Sequence, residues 1–258
     1  MTLNVLGSSS LGNGYILQND TEALIIEAGV KMEEAKKALR WNTAKVRGCV
    51  ISHEHGDHSK YAKEYEDAGI RLLALPEVAE RRRLGRLTTP IVQGKGYVFG
   101  GFRVLPFPVL HDVPCVGFLI THEETGRICF FTDTYAFARQ ETNGDTGEVK
   151  YVPYHFPSVS HWLAEANYDE RILNRNIENG NIPELFKKRL HLSHMSITNT
   201  IRAMRRQDLH ATKDIMLIHL SDGNSDERKF VERMRKATGK RVVVARPGLQ
   251  MDFNINPI

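Results

Sequence analysis

Four side chains able to ligate a metal fall within six residues of one segment, Ser52-His53-Glu54-His55-Gly56-Asp57-His58, as His53, His55, Asp57 and His58. Imidazole nitrogens and carboxylate oxygens issuing from one loop can close on a divalent ion at about 2.0–2.2 Å. A polar turn with incidental histidines accounts poorly for this density, because the segment directly follows the apolar run 48–51. Three further candidates stand at the ends of other apolar runs: His111 after 102–110, Asp133 in Phe130-Phe131-Thr132-Asp133-Thr134, and His219 in Ile215-Met216-Leu217-Ile218-His219. One histidine after a strand is ordinarily a satisfied polar residue, so the joint pattern carries the argument. Structural zinc sites are closed cages of four ligands, and seven candidates therefore point to two open metal sites.

A second kind of chemistry is offered by Leu192-Ser193-His194-Met195-Ser196-Ile197-Thr198-Asn199-Thr200. His194 and Ser196 open the helical pattern 196–206, where unpaired N–H groups and the helix dipole attract an anion. An imidazole there can donate to a phosphoryl oxygen or protonate a leaving alkoxide, which gives His194 a catalytic and phosphate-binding role and Ser196 a phosphate-binding one. The competing reading makes Ser196 a helix N-cap and His194 structural. Basic clusters at Arg81-Arg82-Arg83 with Arg86, at Lys187-Lys188-Arg189, and at Arg202 with Arg205-Arg206 either track a phosphate backbone or form solvated helix faces. The aromatic residues Tyr151, Tyr154, His155, Phe156 and Trp162 either stack a base or pack locally.

These residues need elements to hold them. Strands are expected over 3–6, 15–17 and 23–27, with a Gly- and Ser-rich loop over 7–14. Helix and strand then alternate, with helices over 32–40 and 60–67 and strands over 48–52 and 71–74. A second β-rich block covers 97–109, 116–121 and 128–132. Helices follow over 169–179, 196–206 and 226–238, with strands at 215–219 and 241–244. The stretch 136–160 lacks periodicity and reads as a long loop or hairpin near the site. Two half-chains, each β-rich and then α/β, predict an α/β fold of two mixed sheets packed face to face with helices outside.

The length, 258 residues with 41% apolar content, suits one large domain over 1–258. No apolar run reaches membrane-spanning length, and the first residues lack a signal-peptide pattern, so a cytoplasmic protein with no membrane partner is expected. Three cysteines, Cys49, Cys115 and Cys129, each in an apolar stretch, read as buried reduced thiols. The formal charge of +4 is compatible with an anionic substrate without demonstrating one.

The order of strand, His-x-His-x-Asp-His, then separate His, Asp and His resembles the metallo-β-lactamase superfamily over essentially the whole chain. That resemblance implies the αββα sandwich of the superfamily. It also implies that His53, His55 and His111 hold one metal, that Asp57, His58 and His219 hold the second, and that Asp133 bridges both. Glu27, in Leu24-Ile25-Ile26-Glu27, stands where the superfamily usually has an Asp supporting the metal-binding loop, and its longer side chain can still accept a bond from a ligand histidine or the loop backbone. Two divalent ions are expected, zinc first because the donors are His-rich, with manganese as the alternative.

The superfamily spans many reactions. Glu165-Ala166-Asn167-Tyr168-Asp169, the 192–200 segment and Gly7-Ser8-Ser9-Ser10-Leu11-Gly12-Asn13 are similar to segments of its YycJ/WalJ-like branch, treated as DNA exonucleases, and more distantly to tRNA 3′-processing endonucleases. Tyr168 replaces the branch's usual His, and Ser193 its Gly. The expectation is a dinuclear phosphodiesterase, a DNA exonuclease-like nuclease acting through a metal-bridging hydroxide that Asp57 helps to orient. The partner would be a nucleic acid or nucleotide substrate, and the chain is compatible with a homodimer. A cyclic-nucleotide phosphodiesterase is the first alternative and a thioester or lactone hydrolase the second. A binding module with a structural metal is disfavoured by the ligand count, and a di-iron redox role by the lack of room for a flavin domain.

Overall fold

The computed structural model describes residues 1–256. The first half of the chain runs β1 (Thr2–Ser9), β2 (Gly12–Gln18), β3 (Ala23–Ile26), α1 (Met32–Ala38), β4 (Val46–Val50), α2 (Gly56–Ser59), α3 (Ala62–Asp67), β5 (Leu72–Ala74), α4 (Pro76–Arg82), β6 (Thr88–Pro90), β7 (Tyr97–Phe99) and β8 (Phe102–Val109). The second runs β9 (Cys115–His122), β10 (Gly126–Phe131), β11 (Ala138–Thr142), β12 (Val149–Pro153), β13 (Val159–Glu165), α5 (Glu170–Glu178), α6 (Glu184–Ser193), α7 (Ile197–Met204), β14 (Asp214–Ile218), α8 (Glu227–Thr238), β15 (Arg241–Val244) and β16 (Gln250–Asp252). They form two seven-stranded mixed sheets, ordered β16-β1-β2-β3-β4-β5-β6 and β15-β14-β13-β10-β9-β8-β7, with β11 and β12 as a separate hairpin.

The strand sequences explain this layering. A strand sends alternate side chains to opposite faces, so a sheet covered on both sides needs apolar residues at every position. In β3, β4, β10 and β14 one set, including Leu24, Ile26, Val50, Ile128, Phe130, Met216 and Ile218, fills the space between the sheets. The alternate set of the first sheet, Ile25, Cys49 and Leu72, packs under Met32, Ala35, Ala62, Tyr65 and Val78 of α1, α3 and α4. The alternate set of the second, Cys129, Trp162, Ile215 and Leu217, packs under Ile197, Met204, Phe230 and Met234 of α7 and α8. The result is the expected αββα sandwich.

Several local expectations are corrected. The 7–14 segment is a continuation of β1 into β2, with Ser8 paired to Asn13 and Gly7 to Gly14. Its glycines allow close approach between backbones, since a Cβ on Gly7 would lie 2.4 Å from the Gly12 carbonyl oxygen. Residues 136–160 contain the β11–β12 hairpin, one of the two forms expected there, and β13, which was not expected, begins at their end. Both α4 and α6 lie outside the helices expected from periodicity. The 60–67 helix begins only at Ala62, after the short turn of α2. Cys49, Cys115 and Cys129 are buried free thiols, as expected. No helix among the described residues is long and apolar enough to cross a membrane.

Candidate metal centre

Strands β3 and β4 are parallel, as are β10, β13 and β14, and β8 is joined to β10 through the antiparallel β9. The carboxyl ends of β3, β4, β8, β10, β13 and β14 therefore open on one rim of the sandwich, and directly after them stand Glu27, His53, His111, Asp133, Glu165 at the last position of β13, and His219. Sites in α/β sheets form at such ends, because the chain turns there and its side chains are free of the ladder.

The loop after β4 is held on every side. Both oxygens of Glu27 lie 3.3 Å from the Ser52 amide nitrogen, and the Ala28 amide donates to the His58 carbonyl at 2.8 Å. The Ser59 hydroxyl contacts the carbonyls of Glu54 and His55, each at 2.9 Å. Arg82 of α4 donates to the Glu54 carbonyl at 2.7 Å and to the Ser59 hydroxyl at 2.9 Å. Gly29 is obligatory here, since a Cβ on it would sit 1.6 Å from the Asp57 carbonyl oxygen. Glu27, Asp133 and His219 have φ of 68°, 48° and 55°, a region that residues with a Cβ enter only when the surroundings enforce it.

The candidate ligand atoms converge in overlapping sets. Donor atoms of His53, His55 and His111 lie within 4.8 Å of one another, as do those of Asp57, His58 and His219, of His53, His58 and Asp133, and of Asp133, Glu165, His194 and His219. Asp133 stands between the first two, its Oδ2 2.9 Å from His58 Nε2 and 3.8 Å from His219 Nε2. The outer nitrogens of two rings are engaged: His53 Nδ1 by the Ser52 hydroxyl at 2.9 Å and His111 Nδ1 by the Ser193 carbonyl at 3.1 Å. Such contacts fix the ring and present the other nitrogen. His53 Nε2 is buried without a partner, and His111 Nε2 faces His55 Nδ1 at 3.2 Å.

Charge gives the same answer. Among the described residues the buried carboxylates Glu27, Asp133 and Glu165 and the half-buried Asp57 have only histidines as ion-pair partners. Burial opposes ionisation of Asp57 and Asp133, yet the imidazoles around them hold both well below the usual carboxylate range. Burial likewise disfavours protonated His58 and His219, but Asp133 and Asp57 outweigh it, raising His58 well above its ordinary value and His219 to about 10. His53, enclosed by apolar groups and neighbouring imidazoles, is driven well below. A cleft of carboxylates that draws protons onto its histidines is short of positive charge, and two dications fit that deficit and the orphaned nitrogen of His53.

Behind the ligand candidates lies His194, given a catalytic and phosphate-binding role from the sequence, paired with Glu165, which the sequence left unassigned. His194, between α6 and α7, brings Nδ1 to 2.6 Å from Glu165 Oε1 and 3.4 Å from Asp133 Oδ1. Glu165 is fully buried, and its other oxygen accepts the Thr134 amide at 3.0 Å. Burial works against protonated His194, but Glu165 and Asp133 more than reverse that and raise its pKa. Asp112, also unassigned, lies 3.0 Å from His111 Nε2, and adjacency to His111 was its only sequence signal.

Ser196, for which the sequence left a helix cap and a phosphate-binding role open, is 0% exposed and its hydroxyl caps α7 by accepting the Asn199 amide at 3.3 Å, with the same oxygen 3.3 Å from Glu170 Oε1.

An αββα sandwich that gathers seven His and Asp donors at one rim defines a metal-dependent hydrolase. The family model of the metallo-beta-lactamase superfamily matches residues 10–208, and the chain belongs to that superfamily. It is 28% identical over 246 residues to exodeoxyribonuclease YycJ of Bacillus anthracis, covering 87% of this chain and 84% of that protein. To exodeoxyribonuclease WalJ of Streptococcus pneumoniae it is 27% identical over 270 residues, covering 98% and 92%. The crystal structure of the metallo-beta-lactamase fold protein YhfI from Bacillus subtilis superposes with a TM-score of 0.67 at 15% identity, covering 97% of this chain and 99% of that one.

Proposed function

We propose that the chain works as one domain, a dinuclear metal-dependent phosphodiesterase of the DNA exonuclease kind acting in the cytoplasm. His53, His55 and His111 would hold one ion, Asp57, His58 and His219 the other, and Asp133 both, with zinc favoured by the His-rich donor set and manganese as the alternative. Bound there, two divalent ions supply Lewis-acid polarisation of the phosphate and a water acidified to near neutrality.

The observation that carries the reading is the Glu165–His194 pair, at 2.6 Å. Its carboxylate engages Nδ1 of the ring, leaving Nε2 as the proton donor to the leaving oxygen. Asp133, 3.4 Å away, keeps that ring beside the reacting centre. Thioester or lactone hydrolysis, with a neutral acyl substrate, has no need of this additional protonated imidazole. The likeness to the exodeoxyribonucleases YycJ and WalJ supports the choice of DNA.

The test is a parallel panel of linear DNA, RNA, cyclic nucleotides and a thioester, each with zinc and with manganese, on protein analysed for metal. The expected result is close to two ions per chain and cleavage of linear DNA. At most one ion after full reconstitution would end the dinuclear reading. Turnover of cyclic nucleotides with DNA untouched would replace the nuclease by a cyclic-nucleotide phosphodiesterase, and turnover of thioesters alone would remove phosphodiester chemistry.

A further inference from the structure

Beside the metal rim lies a pocket of about 170 Å³, lined on one wall by Tyr135, Ala136, Phe137, Ala138, Pro153 and Tyr154 and on the other by α7 and the turn after it. Met195, the neighbour of His194, also lines it, and Tyr135 is two residues past Asp133. At about 3.8 Å per residue, the pocket begins within about 8 Å of chain from the candidate bridging carboxylate. Whole-ligand pockets run to roughly 300–1,000 Å³, so this one receives a single group of a larger substrate.

The pocket is basic and its walls are fixed. Arg202 and Arg206, four residues apart, both line it, and among the described residues neither is ion-paired with a carboxylate. Arg202 contacts only the Asn199 side-chain oxygen, at 3.1 Å. The hairpin wall is tied to the α7 wall because the Gln207 amide donates to the Tyr154 carbonyl at 2.8 Å and its oxygen accepts the Phe156 amide at 3.2 Å. The Tyr154 hydroxyl donates to the Pro108 carbonyl at 2.7 Å, anchoring the same wall to β8. Two guanidiniums without carboxylate partners in a preformed pocket suit a phosphate, which a planar fork of donors binds in a bidentate manner.

We propose that this pocket holds a backbone phosphate of single-stranded DNA next to the one that is cut, with Arg202 and Arg206 as its ligands. The proposal rests on the phosphodiesterase reading and gives it a polymer-specific element: bis(p-nitrophenyl) phosphate has no second phosphate to place there. Tyr151, 56% exposed on β12 and two residues before the lining Pro153, is the candidate to stack the adjoining base.

The experiment compares the metal-loaded wild type with R202A/R206A and R202K/R206K. One measurement is cleavage of a single-stranded oligodeoxynucleotide and of bis(p-nitrophenyl) phosphate. The other is binding of a fluorescein-labelled phosphorothioate oligonucleotide, followed by anisotropy across about 50–200 mM salt. Expected for R202A/R206A is a loss of kcat/KM about 10- to 100-fold greater on the oligonucleotide than on the small ester. The salt slope of binding should flatten by about 1.4 for two lost contacts, and the lysine pair should restore most of that slope. Equal losses on both substrates, or an unchanged salt slope, overturn the subsite while leaving the phosphodiesterase reading intact. A wild type that binds the oligonucleotide with the expected Arg-dependent slope but cleaves neither substrate sustains the subsite and ends the catalytic reading.

Discussion

His55, Asp133 and His194 sit within one cleft but carry separable duties. His55 and Asp133 belong to the ligand sets implied by the family resemblance; His194 also converges with Asp133, Glu165 and His219, but its Nδ1 is engaged by Glu165 at 2.6 Å. His55→Ala and Asp133→Ala should each abolish turnover and lower the metal content while retaining a cooperative unfolding transition. Near-wild-type activity in either would refute its assignment. His194→Ala should keep its metals and lose roughly 10²–10⁴-fold in kcat on a phosphodiester, the range for a positioned proton donor. Loss of a metal in that variant would make His194 a ligand. The seven candidate ligands were legible because four crowd one segment after an apolar run and the other three each end such a run, features of the local sequence. Ser196 is the complementary case: the cap position was visible in the sequence, but the contact of its hydroxyl with Glu170 of α5 was not.

At the scale of elements, α4 has a use that its composition concealed. Arg81-Arg82-Arg83 reads as a solvated basic face, yet Arg82 turns inward and holds the backbone of the 53–59 loop through Glu54 and Ser59. Contacts that orient a metal-binding loop are typically worth 10–100-fold in affinity. Arg82→Ala should weaken metal retention by about that factor, measured by competition with a chromophoric chelator, with little change in secondary structure. Unchanged affinity would show that Ser59 and Glu27 hold the loop unaided. The β11–β12 hairpin was expected only as a loop or hairpin near the site. Its ties to Gln207 span about fifty residues of chain and leave no periodic trace.

Across the whole molecule, the two sheets are joined at the edge by Glu22, which precedes β3 and reaches the opposite sheet. It accepts the Gly101 amide at 2.8 Å and lies 3.0 Å from His122 Nε2. Burial opposes its ionisation, but the Gly101 amide and His122 hold its pKa below the ordinary 4.5. A carboxyl depressed in the folded state stabilises fully above its unfolded pKa and loses that contribution as pH falls through the folded one. Glu22→Gln should therefore cost on the order of 1 kcal/mol at neutral pH and flatten the decline in stability below about pH 4.5, read from urea unfolding at a series of pH values. Parallel curves for the two proteins would exclude a role for this link in acid stability. By itself the sequence determined the layer type, since strands apolar at every position must be covered on both faces, and it determined the ligand candidates, since these directly follow such strands. Only the tertiary structure decided that β13 lies between β10 and β14, which brings Glu165 to His194, and that the hairpin meets α7 around Arg202 and Arg206. The physical reason is that burial and periodicity act along a few residues of chain, whereas sheet order is fixed by competition among strands far apart in sequence.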